Sequence, residues 1–327
     1  MTTEGSLSPH EPETLSFGPL VLQASRIFRN HVSTLVSASL TLMALPLLTS
    51  FSVVAFSGAQ EPGTSPLGPP KLSPALVVLL VFIPLMSAAA TVALIAVVVH
   101  VVVGDHLGRT AGNVWLAVRR SFWRLAGTLL AKVWVLFLLL TLDLIGGCVI
   151  VLLVAAGHPA PYPILYAYIL LVFITTPTVV FVSMTLSLAD HATAIEGAGI
   201  WGFQALRRSW ALSKGNWLII VRMKGLDFAT MWTLAGPLDS LALKLRTEQP
   251  GLGHGFVFAA YLVGALVLCA LVICQRSFFK VAWCLVYLSA RKKAEPEFGL
   301  STLLQTFEAD SSSPEGYAGL MSTSSEV

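Results

Sequence analysis

Charge is what this sequence has least of. Only 11% of its 327 residues are Asp, Glu, Lys or Arg, against about 25% in a soluble domain, while 55% are hydrophobic and the mean hydropathy is +0.79. A water-soluble globule is excluded. Spanning helices need roughly 20 apolar residues each, so this length holds about six of them and leaves no room for a large extramembrane enzyme domain. Cysteine is scarce too: Cys148, Cys269, Cys274 and Cys284 all sit inside apolar stretches with no CxxC pair, as small packing residues do. No Asn-x-Ser/Thr acceptor occurs to report sidedness. No Ser/His/Asp set, HExxH, P-loop or pair of carboxylates on one helical face is found, so an enzyme is the least supported class and no cofactor is expected. The first 32 residues lack an apolar core with a small-residue cleavage site, so the first span is expected to act as its own uncleaved insertion signal.

What is present is a series of long apolar runs, which predicts an all-α polytopic membrane protein. Residues 30–60 and 72–104 contain no Asp, Glu, Lys or Arg, placing spans near 33–56 and 74–103. Further spans are predicted near 133–156 and 162–188, joined by a tight turn through Gly157, His158, Pro159 and Pro161. A fifth, 217–241, is interrupted by Arg222, Lys224, Asp227 and Asp239, each costing about 2.5–3.5 kcal/mol at the bilayer centre; a surface or re-entrant helix is the other reading. A sixth covers 255–290, with Arg276 and Lys280 suited to snorkelling.

The charges that exist are unevenly placed. Residues 1–25 hold three acids and 294–327 hold six, with no base in either, so all 20 basic residues lie in 26–293. The acidic tails read as disordered, and 26–293 as the membrane domain. Six spans put twelve basic loop residues on one side and Lys71, Lys244 and Arg246 on the other, predicting that both termini are cytoplasmic. The endoplasmic reticulum or plasma membrane is the expected location. Anionic lipid headgroups, other membrane proteins and further copies of the chain are the expected partners; nucleic acid is not.

One segment is duplicated. Residues 115–122 (WLAVRRSF) match 203–210 (FQALRRSW) at an offset of 88, including Arg119–Arg120 with Arg207–Arg208, and Asp105–His106 and Asp190–His191 precede them at the ends of spans two and four. Trp115, Val118, Phe122 and Leu125 fall on one helical face, with Phe203, Leu206 and Trp210 repeating it. Such helices suit the headgroup layer. With a weaker copy around Ala24, Arg26, Phe28 and Arg29, three units are inferred, each an interfacial basic helix followed by a two-span hairpin.

Glu196–Gly197, Ala205-Leu206-Arg207-Arg208-Ser209-Trp210 and Lys214-Gly215 together resemble the signature of the membrane domain found ahead of bacterial glycerophosphodiester phosphodiesterases. They also resemble a large plant family of six-span proteins. The likeness covers most of 20–293 in hydropathy but about twenty residues in motif. The phosphodiesterase activity of those bacterial proteins belongs to a catalytic barrel that these 327 residues do not contain, so the resemblance implies an all-helical membrane module and no catalysis.

Three sets of residues carry functional alternatives. Arg119, Arg120, Arg207 and Arg208 bind anionic lipid or serve only as topology determinants. The two Asp–His dyads hold a metal ion, or Asp105 and Asp190 cap the interfacial helices, which is the reading favoured here. Asp143, with Arg222 or Lys224 as partner, is a transport site or, favoured, a structural pin for the fifth helix. The leading expectation is a non-catalytic membrane-organising or partner-binding protein that engages anionic lipid; the alternative is a small-solute or ion transporter using Asp143 and the charged fifth helix.

Overall fold

The computed structural model describes residues 16–42, 74–107, 114–156, 162–247 and 254–299, with 302 and 305. Among them every regular element is helical. In chain order these are α1 (Phe17–Asn30), α2 (Val32–Leu42), α3 (Pro74–His106), α4 (Val114–Ala155), α5 (Tyr162–Thr185), α6 (Ala189–Glu196), α7 (Phe203–Ser213), α8 (Trp217–Thr247) and α9 (His254–Ala294). Two 3₁₀ turns, Leu186–Leu188 and Gly197–Gly199, flank α6.

Four stretches are long and apolar enough to cross a membrane: Pro84–His106, Val118–Thr141, Tyr162–Glu196 and Ala270–Ala294. The chain is therefore a helical membrane protein with four such helices among the described residues, where six were expected. The rest of the first expected span lies outside the described residues. The fifth, in α8, is helical throughout but carries Arg222, Lys224 and Asp227 within its first three turns, which lowers its hydropathy.

Burial sorts the helices into centre and rim. Val92–Val99 and Val101–Val103 of α3, and 281–290 of α9, are buried on every side, so these two helices form the core. Helices apolar all round belong in such a place. In contrast α4 and α5 turn large apolar residues outward, among them Phe137, Leu144, Leu152, Tyr166, Ile169 and Phe173, as lipid-facing helices do. On α4, Gly146 and Gly147 form a seat for Tyr168 of α5; a Cβ at Gly146 would stand 2.9 Å from the ring.

Two boundaries move. The N-terminal tail expected over 1–25 gives way at Phe17 to α1, because Leu20, Ala24 and Ile27, at i, i+4 and i+7, make a buried stripe against α9. The C-terminal tail expected from 294 is still folded at Phe298, which is 2% exposed beneath the Arg291 guanidinium, 3.9 Å from its ring centre.

Candidate functional site

The two copies of the duplicated segment occupy different contexts. In α7 the segment is a separate short helix, ended by a turn over 214–216. In α4 it runs without a break into the membrane-crossing stretch, so the first copy is not a free-standing interfacial helix. No Pro occurs in that stretch, and its one glycine, Gly127, stays helical against the Trp201 ring, so nothing stops the helix before its apolar run.

Their burial patterns nevertheless agree. Val118, Ser121 and Leu125 point inward from α4, as Ala205, Leu206, Ser209 and Leu212 do from α7. Trp115, Arg119 and Trp123 form an exposed stripe on α4 at i, i+4 and i+8; Phe203, Arg207 and Trp210 form one on α7 at i, i+4 and i+7. The single apolar face expected from spacing is thus divided. Its aliphatic members pack inside with Phe122 partly buried beside them, while Trp115, Phe203 and Trp210 stand outside around the first arginine of each pair.

The second arginine of the α7 pair turns inward. Its Nε donates to Glu196 Oε1 at 3.1 Å, and its Nη2 donates to Glu295 Oε1. Glu196, with a side chain 5% exposed, also accepts from the Tyr287 hydroxyl and lies 3.7 Å from Arg291 Nη1. Arg291 Nε donates to Glu295 Oε2 at 3.2 Å. These five residues close a network joining α6, α7, α9 and the segment after it. Burial opposes the charge on Glu295, but hydrogen bonds from Arg208 and Arg291 outweigh it and hold the carboxyl below its usual range. The same carboxylates hold the Arg208 guanidinium above its ordinary value against the effect of burial.

The remaining motif residues serve the same joint. Ser209 and Ser213 donate to the Thr185 carbonyl, which the end of α5 leaves without a helical partner. Gly197 has φ +74° and Gly202 φ +58°, backbone conformations that only glycine enters without strain, and they reverse the chain between α6 and α7. Lys293 Nζ donates to the Gly215 carbonyl at 2.9 Å. Glu196–Gly197, Arg208–Ser209 and Gly215 are therefore parts of one structural joint.

The dyads are not caps. Asp105 takes His31 Nε2 at 2.9 Å, tying α3 to the junction of α1 and α2. Asp190 is 6% exposed and its Oδ2 accepts from Lys132 Nζ at 2.8 Å; the 3₁₀ turn that precedes α6 leaves no free helix start to cap. Among the described residues no three His, Cys, Asp or Glu side chains come together as a metal site.

Asp143 accepts a hydrogen bond from Thr175 of α5 at 2.6 Å, and neither Arg222 nor Lys224 reaches it. Arg222 is exposed. Lys224 Nζ lies 5.4 Å from the Trp283 ring centre on α9. The expected pin between the third and fifth spans is instead a link between neighbouring α4 and α5, because α8 packs chiefly on α9.

Most of the ionisable side chains inside the bundle meet elsewhere, around a cavity of about 310 Å³. Lys132 comes from α4, Asp190 and His191 from α6, Lys224 and Asp227 from α8. Arg276 and Lys280 approach from α9, one turn apart, and apolar walls include Leu94, Leu136 and Phe279. Lys280 faces this space and does not snorkel. Spacing offered a signal for the cavity: Lys224 and Asp227, and Arg276 and Lys280, are pairs at i, i+3 and i, i+4 in otherwise apolar helices. Lys132, one residue before an expected span, offered none. No protein-family model matches the chain, nor does any curated protein or solved structure.

Proposed function

We propose that the chain is a non-catalytic integral membrane protein that engages anionic lipid headgroups through two outward stripes, Trp115–Arg119–Trp123 on α4 and Phe203–Arg207–Trp210 on α7. The observation that carries this reading is the repeated placement of an exposed arginine between exposed aromatic side chains at helical spacing. Aromatic rings favour the membrane interface, where one edge is wet and the other apolar. An arginine at that depth gains about 1 kcal/mol from an anionic surface. The lipid-facing set is thereby narrowed from four arginines to Arg119 and Arg207, since Arg208 is held by two carboxylates and Arg120 is half-buried.

The reading includes six spans, cytoplasmic termini and the paired-hairpin repeat. The matched inward and outward positions at an offset of 88 support the last of these, and the likeness to the membrane domain of the bacterial phosphodiesterases is consistent with it. The test is native mass spectrometry of protein purified gently from membranes. Changing Arg119 and Arg207 together to Gln should strip most co-purifying anionic lipid while the protein stays folded. Unchanged lipid occupancy in a folded double variant refutes the proposal.

A further inference from the structure

We propose that the cavity bounded by α4, α6, α8 and α9 is a binding site for a phosphate-type oxyanion, separate from the two outward stripes. Four cations line it, Lys132, Lys224, Arg276 and Lys280, against two carboxylates, Asp190 and Asp227. One carboxylate is already engaged, Asp190 by Lys132 at 2.8 Å, and the Asp227 carboxylate receives only a 3.4 Å contact from Gln275 Nε2. Lys280 and Arg276 have no carboxylate within ion-pair distance among the described residues. Like charges gathered around one cavity, three of them half-buried, repel one another, and an entering anion relieves that repulsion.

A second, independent observation also points to a ligand. His191 is 1% exposed, with neither ring nitrogen in a well-formed hydrogen bond among the described residues although the Lys280 backbone lies near the ring, and Asp190 Oδ1 is likewise buried without a partner. Buried polar atoms are nearly always satisfied, so two such groups on one cavity wall call for something that bonds them. A phosphate fits this set. Its several oxygens accept from Lys280, Lys224 and Arg276 and from a His191 N–H, and a phosphate hydroxyl donates to the Asp190 oxygen left over. A carboxylate has fewer oxygens than the cavity has cations. About 310 Å³ holds a phosphate and a short attached stem, but not a whole diacyl lipid. The group arrives on a lipid head, its chains passing out between helices, or on a free phosphate compound.

The experiment uses the full-length protein in neutral detergent, titrated with inorganic phosphate by calorimetry. In parallel, the protein in phosphatidylcholine nanodiscs, with and without phosphatidic acid, is weighed by native mass spectrometry. Wild type should bind one phosphate, or one phosphatidic acid in addition to any held at the outward stripes. Phosphatidic acid alone identifies a lipid head; inorganic phosphate identifies a free phosphate group. Lys280→Met removes a charge that has no carboxylate within ion-pair distance among the described residues, so it should fold and bind at least about tenfold more weakly. Arg276→Gln, at an exposed position of the lining, should also weaken binding and decides the matter if Lys280→Met does not fold. The Arg119→Gln/Arg207→Gln protein should bind inorganic phosphate as wild type does, and should keep the one phosphatidic acid that the cavity variants lose even where lipid at the outward stripes is stripped, which separates this site from them. Binding of neither probe, or binding unchanged in both cavity variants, overturns the proposal.

Discussion

Arg207 and Arg208 are adjacent in sequence, and the fold gives them opposite surroundings, so neutralising each should have opposite consequences. Arg208→Gln removes the hydrogen bonds to Glu196 and Glu295 and leaves Glu196, whose side chain is 5% exposed, with Tyr287 and a longer contact to Arg291. Breaking one member of a buried pair costs about 3–5 kcal/mol. Arg208 is itself 25% exposed and Arg291 stays near Glu196 at 3.7 Å, so about 2–3 kcal/mol is expected, a change of about 30- to 160-fold in the unfolding equilibrium. Arg207→Gln touches only the exposed stripe and should stay within about 0.5 kcal/mol of wild type. Denaturant unfolding in detergent micelles, followed by tryptophan fluorescence, measures both. A double-mutant cycle of Arg208→Gln with Glu196→Gln should show a coupling of at least about 1 kcal/mol. Equal stability of the two single variants would refute the assignment of Arg208 to the joint.

Three further outcomes follow from the same geometry. Gly197→Ala places a Cβ on a residue at φ +74° and should destabilise by about 1–3 kcal/mol, whereas Gly199→Ala, with open space around it, should be close to neutral in the same unfolding assay. Glu295 has a folded-state carboxyl pKa below the usual 4.5, so its contribution is complete above that value and is lost as pH falls through the lower folded one. The hydrogen-exchange protection of residues 295–299, taken relative to the intrinsic rate at each pH, should therefore fall in acid, and Glu295→Gln should be weakly protected at all pH values; a pH-independent protection factor in wild type would contradict the network. Asp143→Asn keeps an oxygen to accept from Thr175 and should fold normally. Its effect should add to that of Lys224→Met within about 0.5 kcal/mol, since the two residues do not touch; strong coupling would restore the fifth-helix pin.

Composition and hydropathy were sufficient for the broad class. Depleting charge over runs of 30 residues leaves the backbone no way to satisfy itself in a bilayer except by helix, and the described helices α3, α4, α5 and α9 occupy the expected runs. The fourth span, expected to end near 188, gives way to the 3₁₀ turn over Leu186–Leu188, and the glycine reversal before α7 follows at Gly197 and Gly202.

Which way each side chain turns required the fold. Trp115, Val118 and Leu125 share a face by spacing, yet only the aliphatic pair is buried, because a membrane gives an aromatic residue an apolar exterior to face and hydropathy no longer separates inside from outside. Arg207 and Arg208 are indistinguishable in the sequence, and so were the partners of Asp143. An ion pair or a cavity joins residues brought together by helix packing, and α8 settling on α9 decided that Lys224 meets Trp283 and not Asp143. The sequence by itself determined that the chain is built of long apolar helices and roughly where they run; only their packing decided that scattered charges such as Lys132, Asp190 and Lys280 line one space, because periodicity describes one helix and a site is made by several.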